Sequence, residues 1–225
     1  MNIRCSILIF IGVITGFVSC KNNDNVFKTV IYTHINIVNA SADTLNFYLN
    51  GTRQNNTSSI YPTSQSFYLT VPGGTQNYQF KKAGGFTALF NMPLNLKDST
   101  NYSLYVAGET TDQAFSTIDT LLKDTVQNMS LVRFVNASPD AGSLGVTVGD
   151  TVNFKTRPFK SSSVFLPVGS SGLKEIRIYL AGSSIPKIDT TVAIEPNKTY
   201  TLFSKGLLNG KSNIAFGLGV AINVD

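Results

Sequence analysis

The feature that most limits how this chain can fold is an internal repeat. Ile37-Val38-Asn39-Ala40-Ser41-Ala42-Asp43 returns as Phe134-Val135-Asn136-Ala137-Ser138-Pro139-Asp140, with Asn39 and Asn136 97 residues apart. Ala83-Gly84 matches Ala181-Gly182, and Asn101-Tyr102-Ser103-Leu104-Tyr105 matches Thr199-Tyr200-Thr201-Leu202-Phe203, both 98 residues apart. Three blocks in one order at one spacing mean duplication of a single folding unit. The spacing predicts module 1 over 28–126 and module 2 over 127–225.

Each module reads as β. Lys174-Glu175-Ile176-Arg177-Ile178-Tyr179-Leu180 alternates, with the aliphatic residues on one face and the charges on the other. Leu131 to Val135 and Ser66 to Val71 are β-branched and aromatic runs of strand length. Turn formers separate such runs at Asn50-Gly51, Pro72-Gly73-Gly74, Ala83-Gly84-Gly85, Gly142 and Gly149-Asp150. No window much longer than about ten residues keeps a helical period. The fold class expected is all-β: two tandem antiparallel immunoglobulin-like β-sandwich modules, each of about seven short strands. Tyr102 and Tyr200 begin the penultimate strand of each copy, where a tyrosine can bond back across the corner. Asn136-Ala137-Ser138-Pro139-Asp140 is read first as a turn, because Ser and Asp bond nearby backbone and Pro fixes φ.

Phe134 to Gly149 and Lys198 to Phe203 carry a likeness to a known family. A strand, then Asn-Ala-Ser-Pro-Asp-Ala, then a short strand ending in a turn, then Ala-Gly and Lys-x-Tyr-Thr, resembles domain-of-unknown-function family 4397. Module 1 follows the pattern less closely, with Ala42 in place of proline, and both copies have asparagine where many members have histidine. The resemblance implies an exported bacterial β-sandwich and implies no activity.

The start of the chain has the parts of an export signal. Arg4 precedes an apolar run from Ile7 to Phe17, followed by Val18-Ser19-Cys20 and a polar stretch. A bilayer-spanning helix needs about 20 apolar residues, whereas a signal h-region needs roughly 7–15, and the run fits the second. Plain secretion and an uncleaved anchor are the other readings of these residues. A small residue directly before a cysteine resembles the bacterial lipobox, with Phe17 where leucine is usual. That resemblance implies removal of residues 1–19, acylation of Cys20 and a short tether over 20–27. Two or three acyl chains would hold the protein stably, since each buried methylene contributes about 0.8 kcal/mol. Cys5 would leave with the signal, and acylation would consume the thiol of Cys20. Disulfides, zinc thiolates and thiol nucleophiles are then excluded. The short tether predicts that module 1 lies near the membrane, with module 2 reaching further out. Lys21 lacks the aspartate that marks inner-membrane retention in enterobacterial lipoproteins. The outer membrane is therefore expected, with the periplasmic and surface faces both open.

Composition narrows the chemistry. Charged residues are 14 % of the chain and the net charge is +5, with the basic residues scattered and only Lys81-Lys82 adjacent. A nucleic-acid groove needs clustered Lys and Arg with interleaved aromatics, so no nucleic-acid partner is expected. His34 is the one histidine; it falls in a probable first strand without a counterpart in module 2, a poor setting for a Ser-His-Asp triad. No nucleophile elbow, P-loop or dinucleotide fingerprint occurs. A calcium loop centred on Asp140 with Ser138 and Ser143 would supply one carboxylate. No catalytic residue, metal site or cofactor is expected. Trp is absent, but there are nine tyrosines, of which Tyr48, Tyr61, Tyr68, Tyr78 and Tyr179 are candidates for exposed, ligand-facing rings.

Six of the aspartates precede Ser or Thr and then a small, aliphatic or Thr residue, placing hydroxyls at Thr44, Ser99, Thr120, Thr125, Thr151 and Thr190. Turn chemistry explains such triplets where a loop meets a strand. They also resemble the O-glycosylation sequence of exported Bacteroidota proteins, which makes the six hydroxyls candidate glycan sites. The function expected is that of a non-catalytic envelope lipoprotein, membrane-bound by its acyl anchor and presenting two sandwich modules for adhesion or envelope assembly. The second reading is a glycan-binding accessory lipoprotein of a nutrient-uptake system, and the third is a hydrolase with paired carboxylates.

Overall fold

The computed structural model describes residues 30–120, 128–170 and 172–223. Module 1 contains β1 (Tyr32–Asn39), β2 (Leu45–Leu49), β3 (Thr52–Arg53), β4 (Gln65–Pro72), β5 (Gly74–Lys82), β6 (Phe90–Leu96), β7 (Asn101–Val106) and β8 (Ala114–Asp119). Module 2 contains β9 (Met129–Asn136), β10 (Leu144–Val148), β11 (Val152–Arg157), β12 (Leu166–Gly169), β13 (Leu173–Leu180), β14 (Ile188–Ala193), β15 (Thr199–Lys205) and β16 (Gly217–Ile222). No α-helix occurs among the described residues. The chain is therefore all-β in two modules, with eight strands in each where turn spacing suggests about seven. Very short strands such as β3 escape a pattern search, because two residues carry no alternation.

Strand order is the same in both copies. Module 1 pairs β4-β1-β7-β8 in one sheet and β3-β2-β5-β6 in the other; module 2 pairs β12-β9-β15-β16 and β11-β10-β13-β14. The first and seventh strands of each copy run parallel, Ile35 beside Tyr102 and Val132 beside Tyr200. Ile35, Ile37, Phe47, Phe80 and Leu104 fill one sandwich, and Val132, Phe134, Val146, Ile178 and Leu202 the other. Phe47 is ringed by Tyr78 and Phe80 at centroid distances of 5.1 and 5.4 Å. Burying side chains of this size stabilises by about 1.5–3 kcal/mol each.

Two sheets, one from each module, then face each other. Val38, Ala40, Tyr105, Ala107 and Phe115 of module 1 form a third apolar cluster with Val135, Ala137, Phe203 and Ala221 of module 2. Beside it lies a buried ion pair. The Arg133 guanidinium and the Asp119 carboxylate are 2.5 Å apart, with side chains 2 % and 0 % exposed. Isolated charges at that depth would each cost several kcal/mol, and here both are surrounded by partners. Arg133 donates to Thr201 Oγ1 at 2.8 Å and to the Ile118 carbonyl at 3.3 Å, and lies 4.6 Å over the Phe165 ring. Asp119 accepts from the hydroxyls of Tyr68 and Ser103, both at 2.6 Å, and from Asn223 Nδ2 at 3.3 Å. Burial, then the Asp119 carboxylate, hold the Tyr68 hydroxyl protonated far above the ordinary phenol range.

The contact has approximate two-fold symmetry. In register, Asn36 occupies the place of Arg133, and Asn223 the place of Asp119. Arg133 reaches the Ile118 carbonyl directly; the matching carbonyl of Ile222 receives Gln65 Nε2 at 3.0 Å, and Asn36 holds Gln65 from behind at 3.0 Å. Like surfaces meet like, which is the property of an isologous dimer interface. Like ends also meet. The Gly206 N–H donates to the Ala40 carbonyl and Asn213 Nδ2 to that of Ala42, while Asp119 and Asn223 meet near the opposite end. The modules therefore stand side by side and point the same way, so module 2 does not extend beyond module 1 as the short tether suggests.

Arg133→Ala should cost about 3–5 kcal/mol by leaving Asp119 buried and unpaired, read from the denaturant midpoint of the full chain. Tyr78 gives a prediction of opposite sign. Its ring is fully buried and its hydroxyl has no hydrogen-bond partner among the described residues. Tyr78→Phe should therefore stabilise by about 1 kcal/mol. Burial pushes the Tyr78 pKa up to about 12. The unfolded chain thus loses this proton first, and stability drains away as pH rises from about 10. Tyr78→Phe should flatten that alkaline loss, seen as a smaller fall in melting temperature between pH 9 and pH 11.

Candidate functional site

The repeated Asn-Ala-Ser segment closes one end of each module. Asn39 Nδ2 donates to the carbonyls of Asp43 and Ile60 at 2.7 and 2.9 Å, and its Oδ1 accepts the N–H and hydroxyl of Ser41. Asn136 does the same with the carbonyls of Gly142 and Arg157, both at 2.8 Å, and accepts from Ser138 N–H and Ser204 Oγ. Each amide is fully buried with donors and acceptors matched. The motif is a turn keystone, as its sequence suggests. Asp140 accepts the Leu208 N–H at 2.8 Å, so its carboxylate braces the neighbouring loop. Among the described residues no three His, Cys, Asp or Glu side chains gather as metal ligands.

At the other end of each sandwich, the Lys97 N–H donates to Tyr102 Oη and the Glu195 N–H to Tyr200 Oη, both at 3.1 Å. These are the two corner tyrosines expected from the sequence.

Beside each Asn-Ala-Ser turn projects a matching loop, 83–89 in module 1 and 181–187 in module 2. Each is pinned by an N–H at its first residue, from Ala83 to the Thr44 carbonyl and from Ala181 to that of Ser143. Each carries an apolar side chain in solvent: Phe86 is 95 % exposed and Ile185 76 %. Because the modules point the same way, both loops lie at the same end of the molecule. The chain enters at the opposite end, where Tyr32 accepts from the Ser99 N–H.

At the loop-bearing end of module 2 a cleft of about 400 Å³ opens on the outer face of β10, β11 and β13. Gly145 forms its floor and Tyr179, the cross-strand partner of Gly145, forms a wall. Thr147, Asn153, Lys155 and Ser183 add polar groups, and the lining contains no carboxylate and no histidine. The acids nearest on this sheet are engaged elsewhere: Arg177 pairs with Glu175 and Asp189. No two carboxylates are directed into this cleft, the arrangement a glycosidase requires. His34 lies exposed on β1, away from the cleft.

The remaining candidates are distributed. Tyr61 is exposed; Tyr48 is half-buried beneath the Lys81 ammonium at 4.7 Å. Tyr78 is a core residue and Tyr68 belongs to the contact between modules, so neither is a ligand-facing ring. Tyr68 faces the second module and Tyr78 faces the core of its own sandwich, and alternation alone does not reveal which face of a strand is covered. Ser99, Thr120, Thr151 and Thr190 are exposed and Thr44 is half-buried. Asp119, which precedes Thr120, serves the buried ion pair, and Asp189 lies within β14 rather than in a turn. Cys20 and Thr125 lie outside the described residues.

The architecture defines a tandem β-sandwich protein with a loop-bearing end and an open cleft on its second module. The family model described as Domain of unknown function (DUF4397) matches twice, over residues 33–147 and 130–216. The chain belongs to that family. No curated protein matches it. Among solved structures, a family 26 carbohydrate-binding module from Eubacterium rectale Amy13K, crystallised with maltoheptaose, aligns over 87 % of this chain and 98 % of that one, at 10 % identity and a TM-score of 0.26.

The keystone amides set a stability expectation. Asn136→Ala should cost roughly 2–4 kcal/mol by orphaning two carbonyls and two donors. Tyr200→Phe should cost only about 1 kcal/mol for one corner bond. Parallel denaturant curves of the two variants check that order.

Proposed function

We propose that this protein is a non-catalytic binding protein of the cell envelope, held to the outer membrane by acylated Cys20. It presents the loop-bearing ends of both modules to envelope proteins or glycans. The observation that supports this most is the shared direction of the two modules. The chain arrives at the Tyr32 end, so a short tether over 20–27 holds that end toward the bilayer. The loops with Phe86 and Ile185 then face away from it.

Two experiments test the reading. Cys20→Ser should release the protein from membranes into the soluble fraction; retention of the variant would remove the anchor. For orientation, the acylated chain carries one fluorophore, at Ser184→Cys or at Ser99→Cys, in vesicles containing brominated lipid. The label at position 99 should be quenched and that at 184 should not. Equal quenching at both would sink the presentation of the loop-bearing end.

The same reading includes glycans on the hydroxyls of Thr44, Ser99, Thr120, Thr125, Thr151 and Thr190. Bulky sugars at loop edges would solubilise a lightly charged surface. The intact mass of the native mature protein should exceed that of the chain plus acyl groups; an equal mass discards the modification.

A further inference from the structure

Comparison of the two modules isolates the cleft of module 2 as a built feature. The register of β2 with β5 and of β10 with β13 makes Asn46 the counterpart of Gly145, Tyr48 that of Thr147, and Lys81 that of Tyr179. In module 1 these side chains occupy the outer face themselves. Asn46 is buried and accepts from Asn55 Nδ2 at 3.2 Å, and Lys81 covers the Tyr48 ring. In module 2 the same space is open.

Backbone geometry does not require the glycine. Gly145 has no left-handed φ, and a Cβ built on it would meet nothing nearer than the Phe154 carbonyl oxygen at 3.7 Å, an ordinary contact. A side chain fits there, and its absence leaves room. Opposite Gly145 the pairing of β10 with β11 shifts register, and Thr156 within this bulge has φ +48°. Bulges of this kind re-aim side chains beside sites, and a left-handed threonine is strained.

We infer that this cleft is a saccharide-binding site, with the Tyr179 ring stacking on one sugar ring above Gly145. Its size lies in the roughly 300–1,000 Å³ range of small-ligand sites. A sugar presents an apolar C–H face and a rim of hydroxyls. Tyr179 meets the face, and Thr147 and Asn153 offer neutral donors and acceptors to the rim. The lone cation, Lys155, with no acid in the lining, gives the site a preference for sugars bearing a carboxylate. An apolar ligand would leave the polar groups unpaired, and a polyphosphate would need more than one cation. The inference rests on the reading that the loop-bearing end is the binding end, since the cleft opens there.

The test is an array of neutral hexose oligosaccharides and their uronic-acid counterparts, probed with the full mature chain. The uronic-acid class should bind, and more tightly than its neutral counterparts; binding of neutral sugars alone overturns the role given to Lys155. Gly145→Asn, which restores the residue of module 1, and Tyr179→Ala should each weaken binding at least tenfold with the melting temperature unchanged. Lys155→Ala should weaken only uronic-acid binding. Binding that survives both Gly145→Asn and Tyr179→Ala overturns the site. A silent array overturns it too, and the label positions at 99 and 184 then report separately whether the loop-bearing end still faces outward.

Discussion

The ion pair between Arg133 and Asp119 joins the two halves of the molecule. It is buried on both sides and bonded to Tyr68, Ser103 and Asn223 around the carboxylate and to Thr201 around the guanidinium. The apolar cluster of Val38, Ala40, Tyr105, Val135, Ala137 and Phe203 supplies the nearby burial. Hydrophobic contact is non-directional, and two flat sheets packed by it alone have several comparable ways to slide. A charge pair of this kind adds little net stability over an apolar replacement, but leaving one member unpaired is costly. It therefore penalises every arrangement except the one in which Arg133 reaches Asp119. The common direction of the two modules follows from that arrangement.

Duplication has left two copies of one solution, and their differences are informative. Where module 2 uses one long cation to reach the Ile118 carbonyl, module 1 uses Asn36 and Gln65 in series to reach the equivalent carbonyl of Ile222. Each satisfies the corresponding carbonyl of the other module. The charge appears on one side only, because an arginine in both places would need a second buried acid, and that position is Asn223. The outer sheets diverge differently. Module 1 fills its face with Asn46, Tyr48 and Lys81, whereas module 2 leaves Gly145 bare. The first difference is compensated within the protein; among the described residues no side chain fills the space left by the second.

The repeat, the β-class and the turn keystones were legible from the residues, because period and turn chemistry are local. Tyr102 and Tyr200 were legible for the same reason, since the bond spans five residues. The interface was not. Its only trace is Arg133 inside the apolar run Leu131 to Val135, and a lone arginine on a strand ordinarily points to solvent. Tyr68 and Tyr78 resemble surface tyrosines until the third layer is placed over one and the core over the other. The cleft had a faint signal in Gly145 within Leu144-Gly145-Val146-Thr147-Val148, a glycine inside a strand pattern. That it makes space rather than a bend depends on the strands around it, which leave room for a Cβ.

Under the proposed function, two loop-bearing ends side by side would give avidity if both took the same ligand, since the second contact becomes intramolecular. The structure argues against that use here. Phe86 and Ile185 differ in shape, and the face that opens at Gly145 in module 2 is filled by Asn46, Tyr48 and Lys81 in module 1. Module 1 contributes instead half of the interface and a filled outer sheet, with Lys82 tying Asp43 to Glu109 at its loop-bearing end. Such a copy serves as a fixed base against which module 2 is oriented. Under the proposed function both loop-bearing ends face the partner, and the ion pair between the modules fixes the direction in which the cleft of module 2 opens.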